Sequence, residues 1–131
     1  IEKLIEMDTK SIPNIQVHRS LGRYLYHGIL ALAKDFKSSV VCVGNSSSGI
    51  KETPVFGCPT VNIGSRQNGR LRGKNVIDVN YSKEEIIEAI NLQISRGRYD
   101  SENVYGNGQA GVKISEILET VEPTIEKKIT Y

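Results

Sequence analysis

Apolar residues along this chain follow two patterns: short β-branched runs, and longer stretches in which they recur at helical intervals. The runs are Val40 to Val43, Thr60 to Ile63 and Val76 to Val79. The first two are bounded by serine, proline or glycine and the third by asparagine, and each reads as a short strand. From Arg23 to about Phe36, Tyr24, Leu25, Ile29, Leu30, Leu32, Ala33 and Phe36 repeat with helical spacing, and Ser38-Ser39 closes the segment. Ile1 to about Met7 has the same spacing before Ile12-Pro13-Asn14 breaks it, and Asn14 to Val17 reads as a short strand. Gly49 to about Phe56 is a short helix despite Pro54; Ser82 caps a helix through about Ile94; Gly111 to Val121 forms the last one. Short strands alternating with helices predict an α/β fold, a parallel sheet flanked by helices.

A chain that opens in mid-helix with three or four strands is thin for a doubly wound sheet, so it reads as a fragment that begins inside a domain. Its 131 residues, 38% hydrophobic and 24% charged, otherwise have ordinary globular composition. The formal net charge of +2 gives no case for nucleic acid, and the six tyrosines are not interleaved with basic residues. No stretch is long and apolar enough for a bilayer, and the first residues lack a signal-peptide layout, so a cytoplasmic location without membrane association is expected. Cys42 and Cys58 lie in apolar surroundings with no CxxC partner and no histidine at metal-ligand spacing, and read as structural core thiols. No metal site or cofactor is expected.

The candidate chemistry sits behind the first run. Gly44-Asn45-Ser46-Ser47-Ser48-Gly49 follows a strand and precedes a helix, the place where open parallel sheets bind ligands. Helix N–H groups favour an anion there, small residues let its oxygens approach the backbone, and hydroxyls add donors without bulk. A single serine would be an ordinary cap; three in a row between glycines favour a phosphate. Arg66, Arg70, Arg72 and Lys74 fall within nine residues that contain no acid, on the loop after the next strand. Guanidinium groups in that position suit a diphosphate, although a solvated basic loop is the simpler reading.

Two apparent motifs are set aside. Gly69 to Asn75 resembles a P-loop but has too few residues between its glycines and no Ser or Thr after Lys74. Gly106-Asn107-Gly108-Gln109-Ala110-Gly111 matches GxGxxG, yet it follows a polar segment and no strand comes after its helix.

Gly44-Asn45-Ser46-Ser47-Ser48-Gly49-Ile50, then Glu52, Pro54, Phe56-Gly57, Pro59-Thr60, Asn62-Ile63-Gly64, Arg66-Gln67-Asn68-Gly69-Arg70 and Asn75-Val76, closely resembles the hydrolysing UDP-N-acetylglucosamine 2-epimerases of sialic-acid and related nonulosonic-acid pathways. Tyr105 to Ala110 resembles their Tyr-Gly-Asp-Gly-x-Ala motif, with Asn107 in place of the aspartate; the segment from Gly22 to Ser39 is longer than in many relatives.

The resemblance implies a two-domain, glycosyltransferase-B-like enzyme, of which residues 1–131 would be part of the C-terminal, Rossmann-like nucleotide-binding half, with the N-terminal domain outside this chain. Such enzymes eliminate UDP from the sugar to give a 2-acetamidoglucal, and water then adds to give N-acetylmannosamine. By the same resemblance Ser46, Ser47 and Arg66 would hold the diphosphate of UDP or a UDP-amino sugar, and Glu52 would take the ribose hydroxyls. Read on its own, Glu52 is equally well a first-turn acid favoured by the helix dipole. Arg70 would organise its loop, and Gly106 and Gly108 would let the last helix start near the sugar.

The family's catalytic acids, bases and histidine would lie upstream, leaving no catalytic residue here. His18 and His27 sit in apolar, packed-looking contexts without a carboxylate partner in sequence. The full-length protein is expected to be a homo-oligomer, and the isolated chain inactive. A glycosyltransferase using this half for its donor, or a stand-alone nucleotide-binding module, remain the alternatives. Sugar transfer to an acceptor would mark the first, and UDP binding by a stable monomer the second.

Overall fold

Strand β2 (Thr60–Ile63) lies between β1 (Cys42–Gly44) and β3 (Val76–Val79), and all three run parallel, with Val61 opposite Val43 on one side and Ile77 on the other. These elements belong to a computed structural model that describes residues 14–35 and 37–122. Helix α1 (Gly22–Ala31) runs on into a 3-10 turn at Leu32–Lys34; α2 (Ser48–Lys51) and α3 (Thr53–Phe56) link β1 to β2; α4 (Lys83–Arg96) and α5 (Ala110–Thr120) follow β3. The α/β architecture with a parallel sheet flanked by helices is therefore present, with α2 packed on β1 and β2 and α4 on β2 and β3.

Several elements fall where the apolar pattern puts them, and others shift for identifiable reasons. The second and third strands match to the residue. The first begins at Cys42 instead of Val40, because the ladder starts where Cys42 N–H donates to the Pro59 carbonyl (2.8 Å), while Val40 packs against Leu30, Ala33 and Cys58. Asn14 to Val17 forms no strand: the segment is exposed, pairs with no strand among the described residues, and starts with Asn14 at φ 72°.

The single helix expected over Gly49 to Phe56 is two short ones, broken at Glu52. Pro54 has no N–H for the helical ladder and instead takes the first turn of α3. Gly57 closes α3 at φ 63°, where a Cβ would run into the Tyr99 carbonyl. Helix α1 is shorter than expected, and Phe36, like the helix expected over residues 1–7, lies outside the described residues. Ser82 does cap α4, accepting from Glu85 N–H, while the Glu85 carboxylate accepts from Asn80 N–H (3.0 Å).

The apolar core is small, and hydrogen bonds do much of the joining. Leu30, Ala33 and Cys58 form one cluster, with Tyr26, Val40, Cys42 and Phe56 against them, and Ile50, Val61 and Ala89 are buried as well. Between α3, the sheet and α4 lie buried Thr53, Thr60, Asn75 and Gln93. Asn75 Nδ2 donates to Thr53 Oγ1 (2.9 Å) and to the Cys58 carbonyl (2.7 Å), and the Thr53 hydroxyl donates to the Gly49 carbonyl (2.7 Å). Gln93 Nε2 donates to the carbonyls of Thr60 (2.8 Å) and Asn75 (2.9 Å), and Tyr99 donates to Gln93 Oε1 (2.9 Å). Buried polar groups are tolerated when partnered in this way, Asn75 Oδ1 being the exception without a partner among the described residues. The network fixes the sheet to the helix that follows the serine loop.

Candidate functional site at the carboxyl ends of the strands

Gly44, at φ 152°, ends β1 and releases the chain into Asn45 and Ser46, both exposed. The three serines have different fates. Ser48 is committed: its hydroxyl shares a 2.6 Å hydrogen bond with the Tyr26 phenol. Among the described residues, Ser46 Oγ receives only a long bond from Ser48 N–H (3.4 Å). Ser47 occupies the cap position of α2, yet its side chain makes no capping bond, and its carbonyl accepts from Ile50 and Lys51 N–H. The capping explanation thus accounts for none of Ser47's hydroxyl. Because α2 is a single turn, its dipole adds little, so hydroxyls and nearby cations must supply the attraction for an anion.

The loop after β2, which carries Arg66, is tied to the serine loop. Gln67, 2% exposed, donates from Nε2 to the Asn45 carbonyl (2.7 Å) and so ties the residue after Arg66 to the residue before Ser46. Gln67 Oε1 is buried with no partner among the described residues. Arg66 is exposed and makes no hydrogen bond or ion pair with a described residue.

The four cations do not act alike. Arg72 is a brace: Nε lies 2.7 Å from Asp78 Oδ2, in an ion pair that is not a linear hydrogen bond, and its two terminal nitrogens donate to the carbonyls of Arg70 (2.8 Å) and Gln67 (3.1 Å). Lys74 is tied to Glu102, which accepts from its backbone N–H (2.8 Å). Arg70 is exposed and contributes its carbonyl to the brace.

Glu52 stands at the junction of α2 and α3, half-buried, at the end of a helical turn and not in its first turn. The dipole explanation for this acid therefore falls away for α2. Its Oε2 lies 2.5 Å from His27 Nε2. This corrects the expectation that neither histidine has a carboxylate partner: the two residues are far apart in sequence and meet only because α1 packs on α3. His18 also departs from the packed context expected of it, being exposed.

His27 and Glu52, with Tyr26, Ser48, Arg23 and Ser20, line an open cleft of about 740 Å³. Burial pushes the Tyr26 phenol up to about 12 despite the opposing hydrogen bond from Ser48, so it stays neutral in the cleft. Burial likewise raises the Cys42 thiol and takes Cys58 to about 11, in keeping with inert structural cysteines.

Gly106 and Gly108 lie in an exposed loop at φ 104° and 86°, with space around both, so their requirement is conformational. That loop reaches the basic loop through Tyr105, whose hydroxyl donates to the Leu71 carbonyl (2.9 Å), and approaches α2 through Lys51, 5.8 Å from the Tyr105 ring. Asn107 Oδ1 accepts from Gln109 N–H (3.2 Å), a turn bond that an aspartate would make equally well. Serine, arginine and glycine loops thus converge along one side of the sheet. Sequence reasoning missed the roles of Tyr26, His27 and Gln67: Gln67 stands within the Arg66 to Arg70 motif but was given no role of its own, and each of the three is defined by a partner at least 22 residues away.

A UDP-N-acetylglucosamine 2-epimerase family model matches residues 1–119. The chain is 34% identical over 109 residues, 83% of its length, to a UDP-N,N'-diacetylbacillosamine 2-epimerase (hydrolyzing) of Legionella pneumophila, covering 27% of that protein. It is 32% identical over 85 residues, 65% of its length, to a UDP-N-acetylglucosamine 2-epimerase of Neisseria meningitidis serogroup B, covering 22% of it. A GDP/UDP-N,N'-diacetylbacillosamine 2-epimerase (hydrolyzing) of Campylobacter jejuni is 48% identical over 59 residues, 45% of this chain and 14% of that protein. The chain therefore spans about a quarter of the length of the first two relatives. With the family model covering nearly the whole sequence, the chain belongs to the UDP-N-acetylglucosamine 2-epimerase family.

Proposed function

We propose that this chain is the C-terminal nucleotide-binding part of a hydrolysing UDP-N-acetylglucosamine 2-epimerase, whose full-length form releases UDP and yields N-acetylmannosamine or a related 2-epimerised amino sugar. Sialic or nonulosonic acid biosynthesis is the corresponding pathway. In this reading Ser46, Ser47 and Arg66 hold the diphosphate, Glu52 takes the ribose hydroxyls, and the loop of Gly106 and Gly108 borders the sugar. The observation that supports it is the Gln67 bond to the Asn45 carbonyl, which ties the loop that carries Arg66 to the serine loop. The cleft next to Glu52 has a volume suited to a nucleoside. Two relatives whose names specify hydrolysis support water as the acceptor.

The test is to incubate the full-length protein with UDP-N-acetylglucosamine and with its N,N'-diacetylbacillosamine counterpart, following UDP release and the configuration of the free sugar by NMR. Free sugar inverted at C2 together with UDP is expected. Recovery of an intact epimerised nucleotide sugar would overturn the hydrolysing assignment, and transfer of the sugar to an added acceptor would favour a glycosyltransferase.

A further inference from the structure

Two consecutive residues of α1 reach across to the segment that follows the serine loop: Tyr26 bonds Ser48 at 2.6 Å, and His27 bonds Glu52 at 2.5 Å. The His27 ring has two aromatic neighbours, with the Phe56 ring centroid 5.3 Å away and that of Tyr26 6.1 Å away, both tilted. Glu52, by contrast, is a long side chain at a break between two single-turn helices, and it makes no capping bond to the backbone of α3. Left to itself it would sample many rotamers, and a carboxylate that must meet a vicinal diol would lose that freedom on binding. The imidazole removes the freedom beforehand. It engages Oε2, while a carboxylate has about four lone-pair sites and so keeps acceptor capacity for two hydroxyls.

We propose that His27 is a positioning residue, which holds the Glu52 carboxylate in the orientation that recognises the 2′,3′-diol of a ribonucleoside diphosphate. The inference rests on the ribose role given to Glu52 above and adds the group that makes this role selective. Its signature is discrimination between ribose and deoxyribose, which a bond serving only to join α1 to α3 would not affect.

The experiment is calorimetric titration of the full-length protein with UDP and with 2′-deoxyuridine diphosphate, for the wild type and for Glu52→Gln, His27→Leu and His27→Gln, with Tm recorded for each. The wild type is expected to prefer UDP by roughly tenfold, the value of one charge-assisted hydrogen bond. Glu52→Gln removes most of that preference. His27→Leu reduces it to about twofold by weakening UDP and leaving the deoxy compound nearly unchanged. His27→Gln, whose amide can donate to the same oxygen, keeps part of it. A His27→Leu protein that folds, retains the wild-type ratio, and sits beside a Glu52→Gln protein that loses it, overturns the positioning role alone. A wild type without preference, or Glu52→Gln with an undiminished one, overturns the ribose reading and this inference with it.

Discussion

Gln67, buried behind the loop that follows β2, donates a 2.7 Å hydrogen bond to the carbonyl of Asn45 in the loop that follows β1. The two loops that carry the diphosphate candidates are thereby set by one amide. Gln67→Ala should lower UDP affinity of the full-length protein about fivefold and cost about 1 to 3 kcal/mol of stability, since the Asn45 carbonyl loses its partner. Titration and thermal unfolding measure the two effects. Unchanged affinity in a folded Gln67→Ala protein would show that the loops hold position without it.

The serines separate by partner. Ser47→Ala should weaken UDP binding about tenfold with almost no change in Tm, because its hydroxyl makes no capping bond. Ser46→Ala should behave similarly. Ser48→Ala removes the partner of Tyr26 and should cost about 0.5 to 1.5 kcal/mol in stability. A large Tm loss for Ser47→Ala would return that serine to the role of a simple cap.

Arg66 and Arg72 differ in the same way. Arg72→Ala breaks the contact with Asp78 and two bonds to backbone carbonyls, and should destabilise by about 1 to 3 kcal/mol. Arg66→Ala should leave stability within about 0.5 kcal/mol and weaken UDP binding, more so at low salt. The reverse pattern of Tm values would exchange the two assignments.

The Tyr26 phenol, pushed up to about 12 by burial, gives the fold a defined alkaline limit. Its pKa is higher in the folded state than the ordinary value near 10 of an unfolded chain, so its contribution is fully present below about pH 10 and is lost as pH rises through 12. Tyr26→Phe should remove the corresponding late step from the ultraviolet difference titration and flatten the fall of Tm over that interval. A late step that persists in Tyr26→Phe would belong to another tyrosine.

How much of this was legible in the sequence depended on whether the determinant was local. Thr60 to Ile63 and Val76 to Val79 were readable because β-branched runs end in turn residues. The start of β1 was not, since an apolar run does not say which of its members finds a partner, and the Pro59 carbonyl selects Cys42. Pro54 reads in sequence as tolerated inside one helix, and the break it causes, which leaves Glu52 at a junction facing α1, was not foreseen. The pairing of His27 with Glu52 and the strap from Gln67 to Asn45 exist only after the helices pack. Four cations in nine residues looked equivalent, and only the position of Asp78 after folding makes Arg72 a brace while leaving Arg66 exposed.

The amides and hydroxyls at the centre of the sheet also bear on temperature. Opening a core of aliphatic side chains raises heat capacity steeply, whereas exposing Thr53, Thr60, Asn75 and Gln93 lowers it. Part of the usual increment is cancelled, so the stability curve of this domain is flatter than that of an aliphatic core of the same size.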